Sequence, residues 1–281
     1  MTGAAAANTW KKPGSVVLTS LPLGDGNVST TGSAVGSVYS CSAGRAGAGG
    51  SNVDGPWIHG TTWDSTAKLE VSGAHSWPTA KFTVQIQGAN RVITTNDLPT
   101  GQQTGTFPVS SSDPVHQYDQ NPNSIATTRS STLTIPVVPT SSSTPGCLGG
   151  GSIGVLLNGV WLYDALDGPG RDAVAHEAQD LCQGHPQQSG EYHYHEIPTC
   201  LRDHDLATST VVGWANDGYP IVVERDAGGN LPNNGDLDVC HGRTSAITVD
   251  GVVTTSYHYS ATLEFPYTLG CFHGTVAKSM K

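Results

Sequence analysis

The sequence predicts a mainly β fold of antiparallel sheets, sandwich-like or two-layered, with one short helix, an internal duplication and three disulfides. Only 13% of the 281 residues are charged, against about 25% in an average globular protein. Gly, Pro, Ser and Thr fill the difference. Gly and Pro interrupt helices, while Thr and Val favour pleated strands. We therefore expect many short strands joined by turns.

The six cysteines are widely spaced, and none forms a CxxC pair of the kind found in zinc ribbons or thioredoxins. They are Cys41, Cys147, Cys182, Cys200, Cys240 and Cys271. An even number in a Lys-poor chain predicts three disulfides in a secreted or periplasmic protein. The alternative is six reduced thiols in the cytosol. The N-terminus lacks a basic start and a long apolar stretch, so we expect a mature chain without its signal peptide. No run approaches the ~20 apolar residues of a membrane span.

Three regions follow one another along the chain. Residues 1–55 are rich in Gly, Ala, Ser and Thr and predict an extended arm or an irregular first layer. Residues 56–140 predict an N-terminal β region. Residues 147–275 are rich in Cys, His and acid, and we expect them to pack with residues 56–140 as one unit. The stretch at 141–146 looks like a connector between the two.

Two segments of the N-terminal region have strand patterns. Residues 81–87 alternate with period two, which places Phe82, Val84 and Ile86 on one face. Residues 132–139 predict another strand, and their prolines indicate that it lies at a sheet edge.

The C-terminal region adds a hairpin and a helix. Asn158-Gly159 between two apolar runs is a strong hairpin signal. Residues 171–182 predict the single helix, with Val174, Ala178 and Leu181 spaced for one face.

The order of short motifs in this region predicts an internal duplication. The first copy runs Asn158-Gly159, Tyr163-Asp164-Ala165, Cys182-Gln183-Gly184, Tyr192-His193-Tyr194, Pro198 and Cys200. The second runs Asp217-Gly218, Arg225-Asp226-Ala227, Cys240-His241-Gly242, Tyr257-His258-Tyr259, Pro266 and Cys271. Each copy closes on a cysteine, which favours the pairs Cys182–Cys200 and Cys240–Cys271 and leaves Cys41–Cys147 to hold the arm. Chance order of common residues is the alternative.

The formal charge of −10 is unevenly distributed. Between Cys147 and Cys271 there are 16 Asp or Glu, four Arg, no Lys and seven of the eleven histidines. No basic stripe is present to displace counterions from phosphates, so nucleic acid is not expected as a partner. Clustered acid with histidine favours a metal ion.

The segment Tyr192-His193-Tyr194-His195 carries the strongest chemical signal. On a strand, His193 and His195 share one face and the tyrosines share the other. If the two copies pair, His258 brings a third imidazole, and three imidazoles with an open fourth position suit zinc or copper. The alternative is a set of half-buried histidines that form hydrogen bonds within a β core.

Further candidate ligands and bases lie just before this segment or directly after it. His176 and Asp180 are four residues apart with Glu177 between them, which resembles a helical zinc signature with its second histidine replaced. An exposed helix face explains the same residues. His185 follows closely and joins the candidate metal ligands. Glu177 and Glu196 are the candidate general bases.

A second candidate site is a short acidic loop. Asp236 and Asp238 precede His241, and oxygen-rich loops of this kind can bind calcium. Acidic residues are also common in ordinary turns, which is the alternative reading.

These motifs resemble the YHYH-domain family of secreted proteins over about residues 80–275. The resemblance rests on Asn158-Gly159, the stretch 165–177, Gly184-His185-Pro186, Tyr192-His193-Tyr194-His195, the stretch 217–221, Leu237-Asp238-Val239-Cys240, Tyr257-His258-Tyr259, Pro266-Tyr267 and Gly270-Cys271. It implies a secreted protein with a site at the motif, and it leaves the reaction open. Ser260 stands where a second complete motif would have histidine, which counts against a symmetric four-histidine site.

Two functions follow from these observations. The first is a secreted metal-binding protein that acts as a metal-dependent extracellular enzyme, a hydrolase in preference to a copper oxidoreductase. The alternative is a non-catalytic extracellular module, stabilised by disulfides and cations, that faces polysaccharide. A purely structural β protein is the third reading.

Overall fold

A computed structural model describes residues 8, 10, 16–45, 49, 51, 53–203 and 209–276. Within these ranges the chain is mainly β, as predicted. The N-terminal strands are β1 (Leu21–Pro22), β2 (Val28–Ser29), β3 (Val38–Tyr39), β4 (Ile58–His59), β5 (Thr62–Trp63) and β6 (His75–Ser76). The next five are β7 (Phe82–Gln87), β8 (Asn90–Thr95), β9 (Gln103–Thr104), β10 (Ser131–Pro136) and β11 (Ser141–Gly146).

The remaining strands lie in the C-terminal half. They are β12 (Ser152–Leu156), β13 (Trp161–Tyr163), β14 (Gly184–Pro186), β15 (Tyr192–Tyr194), β16 (Ser209–Ala215), β17 (Pro220–Glu224), β18 (Gly242–Val249), β19 (Val252–Ser260) and β20 (Phe272–Gly274). The helices are α1 (Ala173–His176), α2 (Thr199–Arg202) and the 3-10 turns Leu18–Ser20, Pro114–Gln117 and Asn234–Asp236. No helix of the described chain is long and apolar enough to cross a membrane.

An eight-stranded sheet forms the centre of the molecule, in the order β14-β15-β13-β12-β16-β17-β19-β18. Its two halves have the same design. The central pair β12 and β16 is antiparallel, and outward from it each half has an antiparallel pair, a parallel pair and a second antiparallel pair. This arrangement matches the duplication predicted from the motifs, with β12 to β15 equivalent to β16 to β19.

Both faces of the central sheet are covered. Alternate residues of the sheet, such as Val155 and Trp161, pack on one face against Ile93 and Leu133 of the small sheet β10-β8-β7. Their neighbours in the sequence join a second core that includes Leu21, Val38 and Trp57 of the N-terminal region. The described part of the arm is therefore a covering layer.

Three sequence predictions need correction. The helix predicted over 171–182 is a single turn that ends at Glu177, whose backbone is extended. Asp180 explains the break, because its Oδ1 accepts hydrogen bonds from the backbone N–H of Cys182 and Gly184 and so forms a turn. The second short helix, α2, was not predicted. The connector at 141–146 is a strand that pairs with β20.

Other predictions are confirmed. Gly159, with φ +91°, turns the hairpin between β12 and β13. The strand β10 lies at a sheet edge, where its proline removes no ladder hydrogen bond. The strand β7 exists as well, although Val84 and Ile86 on its apolar face are 37% and 53% exposed. The disulfides are Cys41–Cys147, Cys182–Cys200 and Cys240–Cys271.

Candidate metal centre

The strand β15 separates the tyrosines from the histidines of its motif. Tyr192 donates a hydrogen bond from Oη to Asp180 Oδ2 at 2.8 Å, and Tyr194 accepts one from Asn158 Nδ2 at 3.0 Å. Both tyrosine rings are buried in the core. Because side chains alternate along a strand, His193 and His195 point to the opposite side. The prediction that the histidines and the tyrosines of this motif lie on opposite faces of the strand is confirmed.

Three imidazoles converge on that side. His185 on β14 is directly opposite His193 on β15, and His195 follows two residues later. One ring nitrogen from each histidine lies within 4.8 Å of the others, and all three side chains are buried. Among the described residues, this is the group of at least three His, Cys, Asp or Glu side chains that is compact enough to hold a metal ion.

Backbone carbonyl groups fix the tautomers of two of these rings. The Nδ1–H of His193 donates to the carbonyl of Glu191 at 3.1 Å, and the Nδ1–H of His195 donates to the carbonyl of Asp164 at 2.5 Å. In the neutral rings the Nε2 atoms therefore carry lone pairs. These two Nε2 atoms face each other at 3.1 Å. Two opposed lone pairs need a proton or a cation between them.

The separation of the two nitrogens is appropriate for a metal ion. Nitrogens at ~2.0–2.1 Å from a tetrahedral zinc ion lie about 3.3 Å apart. The observed 3.1 Å is close to this value. A histidine that binds a metal ion through one ring nitrogen usually donates the N–H of the other nitrogen to an acceptor such as a backbone carbonyl.

Glu177 brings a carboxylate to the cluster from the end of α1. Its Oε2 lies 3.2 Å from His195 Nε2 and 3.3 Å from His185 Nε2. Glu177 Oε2 and His185 Nε2 are both buried and have no well-formed hydrogen bond. Buried polar atoms without partners are costly and are common where an ion or a ligand binds. The unsatisfied oxygen of Glu177 therefore lies beside His195 Nε2, one of the two opposed nitrogens.

His185 has a different outer partner. The Asn121 amide nitrogen lies 3.3 Å from His185 Nδ1 and 3.1 Å from the carbonyl of Pro186, while Asn121 Oδ1 accepts from the N–H of Asn123. Asn121 thus donates to Nδ1, and neutral His185 carries its proton on Nε2, towards Glu177. Metal binding at this Nε2 requires the proton to move to Nδ1 and the amide of Asn121 to rotate so that it accepts.

The electrostatics of the cluster follow from burial and from the close approach of Glu177. Burial, together with the charges of His185 and His195, holds the pKa of His193 well below its usual range. Burial alone would lower the pKa of His195, but the hydrogen bond and the charge of Glu177 raise it. Burial would raise the pKa of Glu177, yet His185 and His195 hold it well below its ordinary value. Burial raises the pKa of Asp164 to about 6.

Tyr163 forms one wall of the cluster. Its ring stacks on His193 with centroids 4.0 Å apart, and its Oη donates to Glu191 Oε1 at 2.5 Å. Arg129 forms an ion pair with the same carboxylate. Tyr163, Asn121 and the carbonyl of Asp164 were not among the predicted site residues, because nothing local in the sequence indicates which partners lie beside a strand.

The cluster opens into a cleft of about 630 Å³. His185, His193, His195 and Glu177 lie on its wall, together with Tyr163. Much of the remaining lining is glycine, at Gly44, Gly49, Gly150, Gly151, Gly168 and Gly170. A volume of this size can hold a small molecule or a short segment of a polymer.

His258 does not join the cluster, contrary to the sequence prediction. Its Nε2 lies 2.8 Å from Glu224 Oε1, and both side chains are fully buried. The two repeats lie side by side in one sheet and meet at β12 and β16, so His193 on β15 and His258 on β19 are far apart in the strand order. The third imidazole is His185.

Other predicted ligands have separate surroundings. His176 faces Asp25 and Asp54, at 3.0 Å and 3.3 Å. Asp180 accepts from Tyr192 and from backbone N–H groups. His176 and Asp180 thus do not form a helical metal motif, because the helix ends between them.

The candidate calcium loop is occupied by internal hydrogen bonds. Asp236 accepts from the N–H of Asn233 in a capping box. Asp238 Oδ1 accepts from the N–H groups of Cys240 and Gly242, and His241 Nε2 contacts Thr262. Neither aspartate belongs to a compact group of ligands among the described residues.

The two candidate bases are separated as well. Glu177 lies at the histidines, whereas Glu196 is buried beside Arg202, 3.4 Å from its Nη1. Of these two carboxylates, only Glu177 lines the cleft.

Comparison with known proteins gives one match. The family model described as YHYH protein matches residues 132–230. This range includes Glu177 and the three clustered histidines, and it ends before His258. Neither a curated protein nor a solved structure matches the chain. The resemblance to the YHYH family noted in the sequence is thus confirmed over residues 132–230.

Proposed function

We propose that His185, His193 and His195 bind one transition-metal ion at the wall of the cleft. The observation that carries this proposal is the pair of Nε2 atoms, each with its tautomer fixed by a carbonyl group, that face each other at 3.1 Å. Without a proton or a cation between them this contact is repulsive. A divalent ion resolves it and also satisfies the buried atoms of His185 and Glu177.

Zinc or copper fits the ligand set best. Imidazole nitrogens suit both ions, whereas calcium and magnesium prefer oxygen ligands. Three protein ligands leave a fourth position open, as in catalytic zinc sites. Because the three histidines line the cleft, an ion bound by them would be within reach of a substrate there.

The function that we propose is metal-assisted hydrolysis of a substrate outside the cytosol. A bound ion lowers the pKa of its water, and Glu177 lies close enough to the imidazole nitrogens to accept a proton from that water. Glu177 is also the candidate base that lines the cleft beside the histidines. The three disulfides favour a secreted or periplasmic protein.

Metal stoichiometry tests the binding step. We expect about one equivalent of zinc or copper per chain after dialysis, and a loss of affinity on the order of 100-fold or more in His193→Ala and His195→Ala. His241→Ala is the matched control, because His241 is equally buried but lies in the second repeat. A folded His193→Ala variant that retains its metal would contradict the proposal.

A second variant separates turnover from binding. Glu177→Gln keeps the size of the side chain and removes its basicity. With p-nitrophenyl acetate and bis(p-nitrophenyl) phosphate as probes, we expect hydrolysis to fall by roughly 100-fold or more while the metal is retained. Metal binding without turnover of either probe in the unsubstituted protein would favour the non-catalytic alternative.

A further inference from the structure

The second repeat contains a cluster at the position equivalent to the histidines of the first. Gly184 pairs with Tyr194 and His185 with His193 in the first repeat. In the second, Gly242 pairs with Tyr259 and Arg243 with His258. The register therefore makes Arg243 the counterpart of His185, His258 the counterpart of His193 and Ser260 the counterpart of His195.

The supporting turns are equivalent as well. Asp180 Oδ1 accepts from the N–H groups two and four residues later, and Asp238 Oδ1 does the same. The residue before each Gly has a positive φ, +60° at Gln183 and +68° at His241. Tyr192 donates to Asp180, and Tyr257 donates to Asp238. The backbone that presents the three positions is thus the same in both repeats.

The imidazole in the second repeat also has the same orientation. The Nδ1–H of His258 donates to the carbonyl of Ser256 at 3.1 Å, as His193 does to Glu191. Its Nε2, however, faces Glu224 Oε1 at 2.8 Å instead of another imidazole. Both ring nitrogens of His258 thus face oxygen atoms. Ser260 donates to the same oxygen at 2.6 Å.

Arg243 supplies further positive charge. Its Nε lies 3.9 Å from Glu224 Oε2. The Glu224 and His258 side chains are fully buried, whereas the clustered histidines of the first repeat line a cleft. Within the cluster the Glu224 carboxylate thus faces both the His258 imidazole and the Arg243 guanidinium.

We infer that this cluster is a closed counterpart of the metal centre, in which the His258 imidazole and the Arg243 guanidinium contact the Glu224 carboxylate in the place of a divalent cation. Arg243 and Ser260 occupy the two positions that are held by His185 and His195 in the first repeat. The strand pairing that brings three imidazoles together in the first repeat is also present in the second. Replacing these two residues by histidine should therefore create a second site for zinc, with Glu224 as an additional oxygen ligand. The inference rests on the proposed metal site for its choice of ion.

Zinc titration in a background that lacks the first site tests the inference. His193→Ala is expected to bind no zinc tightly, and His193→Ala/Arg243→His/Ser260→His is expected to bind about one equivalent. Adding His258→Ala to the triple variant should abolish this binding. In the triple variant zinc should also raise the temperature of unfolding. Folding is followed by circular dichroism with and without zinc.

Each outcome is decisive. If the triple variant folds only when zinc is added, the inference is supported, because the ion then replaces the lost charge. If it folds and binds no zinc, or does not fold even with zinc, the inference is wrong. If the metal site proposed at His185, His193 and His195 is wrong, the unsubstituted protein binds no metal. That result does not depend on whether the triple variant binds zinc.

Discussion

The equivalent residues His193 and His258 differ in the group that faces their Nε2 atom. His193 meets another imidazole with its lone pair, whereas His258 meets the carboxylate of Glu224. Both donate Nδ1–H to a carbonyl two residues earlier in the sequence. The same local backbone thus orients both rings in the same way. The residue that faces Nε2 determines whether the ring is available to a metal ion or is paired with a carboxylate.

This difference predicts that alanine lowers stability by unequal amounts at the two positions in the metal-free protein. His258→Ala leaves Glu224 as a buried carboxylate without its main partner, and we expect the free energy of unfolding to fall by about 3 kcal/mol. His193→Ala removes an opposed lone pair and should cost less. Denaturant unfolding in the presence of a chelator measures both. An equal loss in the two variants would contradict the account of the first cluster.

Asp172 caps the N-terminus of α1 by accepting a hydrogen bond from the N–H of Ala175, and its burial predicts that stability depends on pH. It accepts hydrogen bonds from Tyr267 Oη and from the N–H of Gly24, yet burial raises its pKa to about 6 from the ordinary 3.8. The folded state thus binds this proton more tightly than the unfolded state, so the contribution of Asp172 to stability is largest below pH ~4 and is lost as the pH rises to about 6.

The variant Asp172→Asn removes this titration. A pKa of about 6 in place of 3.8 corresponds to roughly 3 kcal/mol. We expect the free energy of unfolding of the unsubstituted protein, measured relative to Asp172→Asn, to fall by about that amount between pH 4 and pH 7. A difference between the two proteins that does not change with pH would show that the pKa is not raised.

Among the elements, strands were predictable and the helix was not. Period-two alternation identified β7, and it divided the tyrosines from the histidines of β15, because alternation is a local property of an extended chain. The apolar spacing of Val174 and Ala178 predicted a long helix, and both residues are indeed buried. The turn at Asp180 depends on hydrogen bonds from later residues, so the end of the helix was not visible in the spacing.

The hairpin turn offers a test at the scale of one element. Gly159 has φ +91°, and a Cβ there would lie 3.0 Å from Thr95 Oγ1 and 3.2 Å from Phe82 Cβ. We expect Gly159→Ala to lower the free energy of unfolding by about 2 kcal/mol. Gly149→Ala is the control, since no atom lies within 4 Å of a Cβ at that position. Equal stability of the two variants would contradict the assigned turn.

At the scale of the whole molecule, the duplication explains the two equivalent halves of the central sheet. It does not explain the histidine cluster, which lies within the first half alone. Repeated motifs indicated two equivalent halves and the correct disulfides. They also suggested that His193 and His258 meet, which is wrong because the halves lie side by side. The contribution of His185 depends on the pairing of β14 with β15, and that of Glu177 on how α1 packs. Neither contact can be deduced from spacing along the chain.

The disulfides predict an order of stabilisation. Their loops span 106 residues for Cys41–Cys147, 31 for Cys240–Cys271 and 18 for Cys182–Cys200. If the cross-links act mainly on the unfolded chain, replacing the cysteine pairs by serine should cost about 5 kcal/mol for the longest loop and about 3 kcal/mol for the shortest. Guanidinium unfolding of the three double variants measures the order, and a reversed order would contradict this mechanism.

The coordination shell of the bound metal tests the central claim most directly. X-ray absorption at the metal edge, on protein purified without chelator, should show nitrogen ligands at ~2.0–2.1 Å with the scattering pattern of three imidazoles. In His185→Ala the number of imidazoles should fall to two. A shell made only of oxygen, or a metal content near zero, would contradict the assignment of His185, His193 and His195 as a metal centre.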